Sequence, residues 1–149
     1  MTVTPTTTGL MGEHLAAAAI IDLGYRAVPC PQDGIDLLAF KDNIFMRVQV
    51  KSARLRKQRD RGALTYHHQL GSGRQKKTRP DPNTFDILAR VAIDCRRVWF
   101  TAAYSVSKLS ERRSPEFYAQ PDLEEISWHR AVQTVLERRD DGLVQICQF

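Results

Sequence analysis

The chain is poor in several features that would place a protein quickly. It has only three cysteines, Cys30, Cys95 and Cys147, widely spaced and odd in number. No two are close enough for a zinc motif, so neither structural zinc nor a disulfide framework is indicated, and all three read as buried or half-buried free thiols. No apolar run approaches the roughly 18 residues that a membrane span needs. The start, Met1 and the Thr-rich stretch Thr2 to Thr8, lacks the basic and apolar segments of a secretory signal. Residues 1–8 therefore read as a short flexible arm, and the expected compartment is the cytoplasm. Internal repeats and convincing linkers are also missing, which leaves residues 9–149 as a single domain. The 149 residues are enough to bury a core.

Acid is missing from one long segment. Between Lys51 and Arg79 stand ten basic residues and a single acid, Asp60, so the segment carries +9 while the whole chain carries +5. The rest of the chain must then sum to −4, which is 5 − 9. So concentrated a block suits the displacement of counterions from a phosphate backbone, and it points to nucleic acid. It reads as a basic insertion at about 52–83, with Gly71, Gly73 and Pro80 marking a loop from Gly71 to Asn83.

What is present reads as helix, several strands, then helix. Residues 9–23 read as a helix with Thr8 as N-cap and Gly24 as terminator. Leu10, Ala16, Ala17, Ile20 and Ile21 form its apolar arc, and Glu13 falls inside that arc. An acid there is costly unless it has a partner. An ion pair with an arginine such as Arg47 would explain it, and so would a metal. Strands are expected at 25–29, 35–40 and 44–51, the last two joined as a hairpin by Lys41-Asp42-Asn43. Alternation puts Met46, Val48 and Val50 on one face of the third strand, and Arg47, Gln49 and Lys51 on the other. Further strands are expected at 63–70, 85–93 and 98–103. A helical turn or two is expected at 107–113, and a final helix over 128–138 with Ser127 as N-cap. The pattern is that of an α/β domain with a mixed sheet.

Hydrolysis of a phosphodiester needs a divalent cation to stabilise phosphate charge and acidify water, with a nearby cationic side chain to orient the nucleophile. Mg²⁺ takes oxygen ligands and keeps several waters, so one or two carboxylates suffice. The parts stand on adjacent elements: Glu13 in GEHLAAAAIIDLGY, Asp36 in GIDLLAF, and Gln49 and Lys51 in FMRVQVKSA. In this the chain resembles the PD-(D/E)XK nuclease superfamily. Within it, the chain is similar to the group I intron-encoded homing endonucleases of this fold, the branch in which Gln replaces the second acid. The similarity runs from Gly12 to Val106. It implies a restriction-endonuclease-like core, a mixed β-sheet flanked by helices. It also implies Glu13, Asp36, Gln49 and Lys51 as the catalytic set, with Asp36, Glu13 and Gln49 around Mg²⁺, for which Mn²⁺ substitutes. FDILARVAID resembles the strand that packs beside such a site. Two positions depart from the family pattern: Ile35 precedes Asp36 where proline is usual, and Gln49 stands where an acid is usual.

The resemblance further implies double-stranded DNA as partner and a homo-oligomer, a dimer or a tetramer. Arg54, Arg56, Lys57, Arg59, Arg61, Arg74, Lys76, Lys77 and Arg79 are the candidates for gripping phosphates or entering the major groove. Tyr66 and His68 are candidates for further DNA contact, and Asp86 for support of the site from the later strand. His67 and His68, adjacent on a strand, face opposite ways and do not chelate together. Two other functions fit the same residues: a Holliday-junction resolvase, and a non-catalytic DNA-binding module on a degenerate nuclease scaffold.

Overall fold

The computed structural model describes residues 3–59, 62–73 and 75–147, with side chains to residue 141. A first helix, α1 (Pro5–Asp22), leads into β1 (Arg26–Pro29), β2 (Leu37–Lys41) and β3 (Ile44–Ala53). β4 (Leu55–Lys57) and β5 (Leu64–Gln69) follow, then β6 (Ile87–Ala92), β7 (Arg97–Ala102) and β8 (Ser110–Arg113). A four-residue helix α2 (Pro115–Tyr118) and a long α3 (Leu123–Cys147) complete the chain. The larger sheet has the order β1-β2-β3-β6-β7, with β3 and β6 parallel and every other pair antiparallel. The expected mixed sheet flanked by helices is what forms.

Residues 5–8, expected in a flexible arm, are the first turn of α1. Thr4 rather than Thr8 is the N-cap: its hydroxyl accepts the Thr7 N–H at 3.1 Å, and Pro5 occupies the first turn, where its missing N–H costs nothing. The apolar arc is correspondingly narrower than expected. Gly12, Ala16 and Ile20 are buried, whereas Leu10 and Ile21 are each 54% exposed.

The core lies between α1, α3 and one face of the large sheet. Ala16, Ile20, Met46, Val48, Ala89, Phe100, Trp128 and Ala131 all belong to it. Every residue of β6 is buried, as expected of a strand flanked on both sides in its sheet and covered on both faces. Trp128 sits edge-on to Tyr25 and Phe100, with ring centroids 5.1 and 5.0 Å away. Ser127 lies inside α3 rather than capping it, and its hydroxyl accepts the Phe100 N–H at 3.1 Å. The helix starts earlier because Glu124 in its first turn takes Arg97 at 2.8 Å and the Val98 N–H at 3.1 Å.

The basic insertion is not a loop throughout. β4 and β5 pair with β8 in a second, three-stranded antiparallel sheet. β8 falls where a helical turn was expected at 107–113. Its charged, alternating SERR meets β5 as an outer strand, a pairing that local sequence does not signal. Tyr66 packs against Ala53, Ala92 and Tyr118. Cys95, expected to be buried or half-buried, is exposed, and Cys30 is half-buried.

The two sheets are joined by a buried ion pair. Arg90, 3% exposed on β6, brings its Nε within 2.8 Å of Glu111 Oε2 on β8. Its Nη1 donates to Thr101 Oγ1, and its guanidinium lies 4.3 Å over the Trp99 ring. Removing one partner of such a pair leaves a buried charge without compensation. Glu111→Ala is expected to cost about 3–5 kcal/mol, read as a lower denaturant midpoint in urea unfolding.

Candidate active site

Asp36 is held by the sheet from both sides. Its N–H donates to Val48 O at 2.9 Å, and its carbonyl accepts the Cys30 N–H at 3.0 Å. Just before it, Gly34 adopts φ +80°, a conformation that favours glycine, and an added Cβ would stand 2.6 Å from Thr84 Cγ2. The chain turns away there, and the Asp36 carboxylate takes over: its Oδ2 accepts the Val50 N–H at 2.7 Å. Among the described residues Asp36 has no ion-pair partner within 4.0 Å.

Gln49 and Lys51 lie two apart on β3, on one face of the strand. Gln49 is 8% exposed, and its Oε1 is buried without a hydrogen-bond partner among the described residues. An unpaired buried carbonyl costs about 1–3 kcal/mol, so a neutral Gln that only filled space would be a poor choice here. Lys51 is half-buried, and it too makes no ion pair among the described residues.

Glu13 arrives from α1. The helix lies very close to β3, since a Cβ on Gly12 would collide with the Ser52 hydroxyl. Only glycine permits that approach, and the next residue is Glu13. Arg54 fastens the same helix, donating from Nε to Thr8 Oγ1 at 3.0 Å and from Nη2 to Met11 Sδ at 3.5 Å. Arg47, an alternative partner for Glu13, pairs with Asp86 instead.

The three ionisable groups feel one another. Burial and the charge of Asp36 both raise the Glu13 pKa. Burial raises that of Asp36, against the opposing pull of the Val50 N–H and Lys51. Burial lowers that of Lys51, against the attraction of Asp36, and Lys77 lowers it further. Each carboxylate is thus short of positive charge. Among the described residues no three His, Cys, Asp or Glu side chains gather as a metal cluster. The donor set is two carboxylates and one amide oxygen, all hard oxygen donors of the kind Mg²⁺ takes, and the orphaned Gln49 Oε1 fits such a ligand.

A cleft of about 440 Å³ opens beside this set, lined by Glu13, Lys51, Ser52, Arg54, Arg56, His67 and Gln69 together with Thr8 and Gly9 of α1. Arg56, Lys57, Arg59, Lys76, Lys77 and Arg79 are exposed. Arg61 and Arg74 lie outside the described residues. Arg54 is half-buried, and its guanidinium is engaged with α1 rather than free in solvent.

Three candidates are placed elsewhere. Asp86 is buried in a cluster of its own, with Arg47 Nη2 at 3.0 Å and Arg139 Nη2 at 3.4 Å. Tyr66 is buried edge-on to Tyr118. His68 is buried with its Nε2 3.0 Å from Val91 O, and burial pushes its pKa down to about 4. Tyr66 and His68 are therefore core residues, not surface contacts. Their neighbour His67 faces the cleft. The alternation along β5 carried that signal, because two buried residues at 66 and 68 put 67 on the other face.

Such a site on such a fold invites comparison. Among solved structures, the fold is similar to that of a bacterial homing endonuclease, I-Ssp6803I. The TM-score is 0.66 at 15% identity, and the match covers 91% of this chain and 98% of that one. No protein-family model matches the chain, and no curated protein matches it. The likeness is one of overall fold. No helix among the described residues is long and apolar enough to cross a membrane.

Because its pKa is raised, Asp36 binds a proton more tightly in the folded than in the unfolded chain, so its charge costs stability as pH rises through that range. Asp36→Asn keeps an acceptor for the Val50 N–H and removes that cost. In metal-free buffer the variant is expected to melt higher than the parent at neutral pH. The gain should vanish below the ordinary carboxylate pKa, where Asp36 is neutral in both states. Mg²⁺ should raise the melting temperature of the parent protein and leave Asp36→Asn unmoved.

Proposed function

We propose that the protein is a Mg²⁺-dependent DNA endonuclease, sequence-specific and homing-endonuclease-like, with a PD-(D/E)XK-type site at Glu13, Asp36, Gln49 and Lys51. The observation that carries the reading is Gln49 Oε1, buried without a partner among the described residues, on the strand of Lys51, where the charge of Asp36 acts on both Glu13 and Lys51 and a cationic cleft lies alongside. The fold likeness to a bacterial homing endonuclease supports it.

Asp36, Glu13 and Gln49 would hold the ion. When bound, Mg²⁺ supplies charge stabilisation to the phosphate and lowers the pKa of water. Asp36 presents its carboxylate with one oxygen already fixed by the Val50 N–H, which limits its rotation. Lys51, held in a partly desolvated place, orients the attacking water and stabilises charge on the phosphate. Arg56 and Lys77 grip the backbone by charge, and the exposed Lys57, Arg59, Lys76 and Arg79 extend that grip. Arg54 acts chiefly by seating the helix that carries Glu13. One chain holds one such site, so cutting both strands calls for at least a homodimer, and a symmetric assembly favours a near-palindromic target.

The neutral Gln49 is what a non-catalytic binding module would also carry, and a resolvase would share the site, so the experiment must separate three outcomes. Purified protein is incubated with Mg²⁺ or Mn²⁺ and a randomised duplex library, with a four-way junction in parallel. Cleavage within a recovered sequence motif is expected. Lys51→Ala should lower the single-turnover rate by about 10²–10³-fold and leave binding largely intact. Binding without cleavage by the parent protein sinks the catalytic claim. Sequence-independent preference for the junction makes it a resolvase.

A further inference from the structure

Of the two adjacent histidines on β5, only one has a structural role. His68 turns inward and meets Val91 O. His67 turns to the cleft and stands in its wall with Glu13 and Lys51. Its Nε2 is shielded from solvent and has no hydrogen-bond partner among the described residues. A polar atom kept in that condition costs folding free energy, and nothing around it in the free protein repays the cost. Tyr66 and His68 already supply the core packing of this strand.

We infer that His67 is a substrate contact, its ring turning outward when a DNA strand enters the cleft so that the shielded nitrogen donates a hydrogen bond to a phosphate oxygen. This rests on the nuclease reading above and adds a residue to it. The charge of the cleft selects the ligand: Lys51, Arg54 and Arg56 line it against Glu13 alone, so an oxyanion is drawn in and a second cation repelled. Arg112 stands opposite His67 on β8, and burial together with that guanidinium pushes the imidazole pKa down. In the free protein His67 is thus biased toward its neutral form, which still offers one N–H to an incoming oxyanion. It differs in this from the lysines and arginines around it, which bind by displacing counterions. A neutral hydrogen bond adds affinity and register without adding to the salt dependence.

That difference can be measured. Binding to a short random-sequence duplex is titrated without metal over a range of NaCl, and single-turnover cleavage is followed in Mg²⁺. His67→Ala should weaken metal-free binding about tenfold, with the slope of log K against log salt unchanged, and slow cleavage as well. Arg56→Ala should lower that slope by about one. His67→Gln, whose amide nitrogen reaches the place of Nε2, should restore most of the loss. Thermal melting of His67→Ala should be no lower than that of the parent, since no internal bond is lost and an unsatisfied polar atom is removed. If Ala loosens the strand, His67→Leu keeps the bulk without the donor and should show the same deficit. Parent-like behaviour of both variants overturns the assignment while leaving the nuclease reading intact. So does a salt slope lowered by one, which would make His67 a cation. A loss seen only when metal is present would make it a metal ligand and overturn the assignment likewise. A parent protein that binds no duplex overturns both readings together.

Discussion

The hydrogen bond from the Val50 N–H to Asp36 Oδ2 joins the sheet to the site. Strand β2 leaves the sheet at its start, where Gly34 turns the chain, and β3 runs on past it to Ala53. A donor on the longer strand there would lack a backbone partner, and unpaired buried N–H groups are rare because they are expensive. A carboxylate from the shorter strand fills the gap. The position of Asp36 is thereby set by backbone geometry, which is rigid, rather than by a surface side chain, which is not. Gln49 and Lys51 sit on either side of the residue it holds. The hairpin register Leu37↔Val48 and the parallel register Gln49↔Leu88 then fix where their side chains emerge.

Around that fixed point the groups are left short of partners. Glu13, Asp36 and Lys51 are each pulled by burial toward their neutral forms. Among the described residues Gln49 Oε1 accepts nothing. Elsewhere the same chain pairs its buried and half-buried charges: Asp86 with Arg47 and Arg139, Glu124 with Arg97, Glu111 with Arg90 and Arg113. The charged groups thus fall into two sets, those paired across the fold and those left without an ion-pair partner among the described residues. Gly12 belongs to the second set indirectly, because a side chain there would push α1, and Glu13 with it, away from β3.

The basic segment draws its order from the second sheet. Its strands β4 and β5 are too short to stand alone, since isolated hairpins are marginal in water. Pairing with β8, the buried Tyr66 and His68, and the Arg90–Glu111 contact anchor them to the main sheet. The cations of the cleft wall are therefore presented from a built surface, which spares part of the entropy that a free basic tail would lose on binding.

The hairpin, the face shared by Gln49 and Lys51, the helix carrying Glu13 and the opposed directions of His67 and His68 were all legible in the sequence. Each follows from periodicity within one element, or from turn residues between two neighbours. The charge imbalance of residues 51–79 was legible for the same reason, because charge is a property of composition. The start of α1 was misplaced because two caps competed, and Thr4 followed by Pro5 outweighs Thr8. Strand β8, the early start of α3, the burial of Tyr66 and His68 and the pairing of Asp86 with Arg47 were not legible. They depend on which segments meet across long stretches of chain: β5 finds β8 more than forty residues on, and Arg47 finds Asp86 at a separation of 39. The sequence by itself determined which residues share a face and where the charge lies. Only the tertiary structure decided which polar groups were spent on holding the fold and which, Gln49 and His67 among them, were left without a partner, because satisfaction of a hydrogen bond is a fact about neighbours in space.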